Sequence, residues 1–120
     1  MSPENAKVFF VDDNELFRST NADFLEMYGH TVVETAGSLT EALDKVPGLG
    51  KKGINVALVD GNLTKMDTSG SDGEKVASAI KRQHPKIIVI GVSSEKPIKS
   101  ADINCVGISG KKLAKAVTNA

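Results

Sequence analysis

Three aspartates stand where apolar runs end. Asp12 and Asp13 close Val8-Phe9-Phe10-Val11, and Asp60 closes Val56-Ala57-Leu58-Val59. A strand buried on both faces reads as a continuous apolar run and turns polar where it leaves the sheet. Both runs therefore deliver acid to the carboxyl edge of a parallel sheet, where ligands bind in open α/β proteins. Carboxylates gathered there repel one another, by up to roughly 4 kcal/mol per pair at about 4 Å and an effective dielectric near 20. A hard divalent cation with oxygen preference relieves that repulsion, and Mg²⁺ is the usual one. The chemistry indicated is metal-assisted phosphoryl transfer.

Such a site needs strands and helices in strict alternation, and the chain supplies them. After Asp13, Phe17, Thr20, Phe24 and Met27 recur at helical spacing, with Gly29 placed to end the helix. Thr31 to Thr35 is a short β-rich run. Ser38-Leu39-Thr40-Glu41 is a capping-box pattern opening a second helix, which Pro47-Gly48 stops. Strands are expected at Ile54 to Val59 and Lys86 to Val92, with a helix between them that Asp72 or Ser71 would cap and that ends before Pro85. A weaker fifth strand, Asn104 to Ile108, leads to a last helix on Leu113, Ala116 and Val117, with Ser109 as a candidate cap. Alternation of this kind implies right-handed βαβ units in an α/β, doubly wound sheet. The stretch from Ser94 to Ile103 leaves room for a turn or two at most, so the fourth helix is shortened. His30 and His84 fall between elements, and Cys105 in a strand pattern reads as a small core side chain.

The 120 residues are read as one domain, 1–120. Fifteen basic and fifteen acidic residues cancel, so no global field favours nucleic acid or an anionic membrane. No signal peptide or spanning run is seen, and the one cysteine fits a reducing, cytoplasmic setting.

Taken in order, these pieces resemble the response-regulator receiver domain over nearly the whole chain. Val8 to Asn14 with Arg18 resembles the opening motif of that family, and Val56 to Asp60 its phosphoacceptor strand. Gly73 is similar to the glycine opening its third helix, and His84 to Ser94 to the run into its Thr/Ser-Ala pair. The resemblance implies a five-stranded parallel sheet in the flavodoxin-like order 2-1-3-4-5, with helices on both faces. It implies a signalling receiver that catalyses only its own phosphotransfer and dephosphorylation. Asp60 would be the phosphoacceptor, served by a histidine kinase or histidine phosphotransfer protein. Asp13, Asp12 through water, Asp60 and the backbone carbonyl of Asn62 would hold Mg²⁺. Ser93 would donate its hydroxyl to the phosphoryl group, and output would pass to a downstream protein partner or output domain.

Three departures from the family pattern stand out. Receivers carry a lysine just after the fifth strand, yet Gly107, Ile108 and Ser109 occupy that neighbourhood. Lys111 or Lys112 would have to reach back on a long stem. No aromatic residue stands at Ile103, Asn104 or Cys105, where the family often has one that rotates with the Thr/Ser hydroxyl. The loop after Asp60 carries extra residues, Lys65 to Ser71, read first as a tolerated surface insertion and second as a recognition element. The missing lysine and the altered switch position support an alternative, a pseudo-receiver that binds partners without phosphorylation. A remoter one is a haloacid-dehalogenase-type phosphatase, since Asp60-Gly61-Asn62-Leu63-Thr64 loosely resembles its nucleophile loop. Asn62 cannot be the general acid/base that this chemistry needs.

Overall fold

A computed structural model describes residues 6–60, 71–93, 98–106 and 111–119. The chain runs β1 (Lys7–Val11), α1 (Glu15–Met27), β2 (Thr31–Ala36), α2 (Leu39–Lys45), β3 (Val56–Asp60), α3 (Ser71–Gln83), β4 (Ile88–Ser93), β5 (Ile103–Val106) and α4 (Lys111–Asn119). All strand pairs are parallel and the order is β2-β1-β3-β4-β5, as expected.

Alternate strand residues feed two apolar layers, one on each face of the sheet. Phe9, Val11, Ala57, Val59 and Val89 pack with Ala42, Val76, Ala77 and Ile80 of α2 and α3. Val8, Phe10, Val56, Leu58 and Ile90 pack with Leu25 of α1 and with Leu113, Ala114 and Val117 of α4. The central strands are thus sealed on both sides, which is why their sequences read as unbroken apolar runs. Phe17 meets Phe10 edge to face at 6.4 Å between ring centroids and fastens α1 beside the end of β1.

Local signals set the helix ends. Asn14 caps α1 by accepting the Phe17 N–H at 2.9 Å. Gly29 takes φ 88° just past α1, a conformation that glycine adopts without strain. Ser38 accepts the Glu41 N–H at 3.1 Å, while the Glu41 carboxylate turns back to the Gly37 N–H at 2.7 Å. Pro47 sits in a single 3₁₀ turn, Val46–Gly48, which α2 runs into.

Boundaries differ from expectation by a residue or two. β3 starts at Val56, because Ile54 is buried in the approach, with its N–H on the Leu49 carbonyl. β4 starts at Ile88 and β5 at Ile103; Ser109, Gly107 and Ile108 lie outside the described residues. Ser71 and Asp72 lie within the first turn of α3. Between β4 and β5 the described residues form only a turn at Lys99 and Ser100, matching the shortened helix expected there. His30 sits between elements but is buried: Nδ1 accepts the Ala6 N–H at 3.2 Å, and Nε2 lies 2.9 Å from Thr118 Oγ1. Among the described residues no helix is long and apolar enough to cross a membrane.

Candidate functional site

Strand register assembles the acids. Val11 pairs with Val59, so the next residues on the neighbouring strands are Asp12 and Asp60. Asp60 pairs with Val92, which puts Ser93 one residue further along β4. One carboxylate oxygen from each of Asp12, Asp13 and Asp60 lies within 4.8 Å of the others. Asp12 is buried, while Asp13 and Asp60 are half-buried, so the cluster opens toward solvent on one side.

Asp12 is gripped at three points. Its N–H donates to the Ala36 carbonyl at 3.0 Å, extending the β1–β2 ladder by one rung. Its carboxylate accepts the Asn14 N–H at 2.9 Å, and its own carbonyl accepts Nη1 of Arg18. Burial raises its pKa above the ordinary carboxylate range, and the charge of Asp13 adds to the rise. The Asn14 N–H, a hydrogen bond with Asp60 and the charge of Arg18 oppose it.

The donor set suits a hard cation. Oxygens bound to Mg²⁺ lie about 2.1 Å from the ion, hence about 3 Å apart when adjacent and about 4.2 Å when opposite. Small rotations of half-buried side chains span the difference from 4.8 Å. Of the other expected site residues, Asn62 lies outside the described residues, as do the side chains of Ser93 and Lys111; Lys112 is exposed on the first turn of α4. Reading the sequence missed the part played by Asn14. An Asn directly before a helical apolar pattern is a strong capping signal and would have revealed it. The bond from Arg18 to Asp12 has no local signal, since a helix can aim a side chain at position 18 in several directions. Cys105 packs half-buried against the α1–α4 layer, and burial raises its thiol pKa, as suits a core side chain. His84 bonds the Val46 carbonyl through Nε2 at 2.7 Å.

Comparison with known proteins gives a consistent result. The model of the family described as response regulator receiver domain matches residues 8–116. No curated protein sequence compared with the chain matches it. Among solved structures, a CheY-like receiver domain protein from Methanospirillum hungatei has a TM-score of 0.77 at 20% identity, over 96% of this chain and 92% of that one. The CheX–CheY–BeF3–Mg²⁺ complex from Borrelia burgdorferi gives 0.77 at 20%, over 98% and 95%. The chemotaxis protein CheY4 of Vibrio cholerae gives 0.74 at 24%, over 96% and 98%. At these identities the structural likeness establishes the fold.

Proposed function

Because the chain belongs to the response regulator receiver domain family, a family of signalling domains, we propose that it accepts a phosphoryl group on Asp60 and signals through protein contacts. The observation that carries this reading is the meeting of Asp12, Asp13 and Asp60 at the carboxyl edge of the sheet. The Borrelia neighbour, solved with BeF3 and Mg²⁺, supports it by analogy of fold. In the proposed reaction an Asp60 oxygen attacks phosphorus, and the P–N bond of a phosphohistidine on a kinase or phosphotransfer protein breaks. The electron pair returns to the imidazole.

Asp12, Asp13, Asp60 and the Asn62 carbonyl are the proposed holders of Mg²⁺. When bound, the ion neutralises charge on the carboxylate and the phosphoryl oxygens. Ser93 donates to a phosphoryl oxygen, and Lys111 is the cation nearest in sequence to the position where the family carries its lysine. A single domain, 1–120, in the cytoplasm completes the reading.

Incubation with acetyl phosphate and Mg²⁺, read by intact mass, tests it. One phosphoryl adduct is expected on the wild type and none on Asp60→Asn. A wild type left unmodified under forcing conditions overturns the proposal. The lack of a lysine among residues 107–109 favours a second reading, a pseudo-receiver with the same fold. Failure to bind Mg²⁺ in a calorimetric titration would select that one.

A further inference from the structure

Arg18 is the fourth residue of α1 and half-buried, and its Nη1 donates to the carbonyl of Asp12. That carbonyl belongs to the peptide joining Asp12 to Asp13. Fixing it sets ψ of the first aspartate and φ of the second, hence the direction in which both side chains leave the strand. The same guanidinium lies against the turn between β2 and α2: a Cβ on Gly37 would come 3.3 Å from Nη1 and 4.0 Å from the Asp12 carbonyl. The turn is itself held by the Gly37 N–H on Glu41 Oε1. Asp12 is therefore pinned from both sides, by Ala36 through its N–H and by Arg18 through its carbonyl.

We propose that Arg18 is a positioning residue for the acidic cluster, aiming the Asp12 and Asp13 carboxylates and thereby setting the affinity for a divalent cation. This rests on the reading of the cluster as a Mg²⁺ site. Charge and geometry act here with opposite signs. As a charge alone, Arg18 repels Mg²⁺, and its removal tightens binding. As a positioning group it favours Mg²⁺, and its removal weakens binding even though a positive charge is gone.

Mg²⁺ titration of the metal-free full chain, by calorimetry and by the Asn14 and Asp13 amide resonances, separates the two. Arg18→Met and Arg18→Gln are each expected to bind about tenfold more weakly than wild type. Arg82→Met, which removes an exposed charge from the last turn of α3, is expected to leave the affinity unchanged. If Arg18→Met does not fold, Arg18→Gln decides, because it keeps a donor and part of the stem. Unchanged or tighter binding in the folded Arg18 variants overturns the inference, as does a lowered melting temperature with wild-type affinity. A wild type that binds no Mg²⁺ removes the cation site and this inference together; a binding wild type with indistinguishable variants removes this inference alone.

Discussion

Asp12 and Asp13 are adjacent in sequence and unlike in environment. Asp12 is buried and spends its hydrogen-bonding capacity on Asn14 and Asp60; Asp13 is half-buried beside them. Residue type alone could not distinguish them, because exposure depends on what covers the strand end. Glu34 shows the same dependence with the opposite sign. Lys45 donates to it at 2.8 Å, Lys52 donates to its other oxygen, and its pKa falls from the ordinary 4.5 to about 2. A depressed carboxylate stabilises the fold above its unfolded value, and that contribution fades as pH falls from about 4.5 toward 2. The lysines are 30% and 47% exposed, so solvent screening holds the pairs to roughly 1 kcal/mol in all. In urea melts, Glu34→Gln should therefore be less stable than wild type at pH 7 by about that amount. The gap should close near pH 2; a gap that persisted there would contradict the assignment.

At the scale of elements, side-chain hydrogen bonds tether the described residues between β4 and β5. Asn104 on β5 accepts the Ile98 N–H at 2.8 Å and donates to the Ile98 carbonyl at 3.0 Å, pairing as another peptide would. Glu74 of α3 accepts the N–H and the hydroxyl of Ser100. Lys81 reaches Asp102 at 2.9 Å, and the Asp102 carboxylate accepts the Val89 N–H at 2.8 Å. Gly91 is required beneath this arrangement, for a Cβ there would stand 2.4 Å from Asn104 Oδ1 and 3.2 Å from Ile98 Cδ1. Gly91→Ala should cost about 1–3 kcal/mol through overpacking, read as a lower denaturant midpoint. Asn104→Gly in the same background should recover part of it by vacating the space; no recovery would show that the clash lies elsewhere. The sequence marked this segment as too short and too interrupted for a helix, and that was legible from Pro97 and the residue count. The tethers were not legible, since each joins residues from different elements whose distance only packing fixes.

At the scale of the whole molecule, three aspartates meet at one edge of the sheet in a chain whose charges sum to zero. A binding site of like charges weakens the fold that carries it until its ligand arrives. Asp13→Ala should raise the metal-free melting temperature at pH 7 by a few degrees, corresponding to about 1 kcal/mol of relieved repulsion. Mg²⁺ should raise the melting temperature of the wild type, by about 2.7 kcal/mol of added stability at a hundred times its dissociation constant, and should scarcely affect Asp13→Ala. A variant that is less stable without metal would indicate that Asp13 serves the fold rather than the site.

The amino-acid order by itself determined the alternation of strands and helices, the two-sided burial of β1, β3 and β4, and the delivery of Asp12, Asp13 and Asp60 to the ends of strands. Those features are written in periodicity and in residues that start or stop elements, which act over a few positions. Tertiary structure alone decided which aspartate is buried, that Arg18 grips the Asp12 carbonyl, and that His30 spans 88 residues to meet Thr118. It also decided that Asn104 stands over Gly91. Such contacts depend on strand register and on the angle at which each helix lies across the sheet. Both are settled by the packing of the entire core, and no local run of residues encodes them.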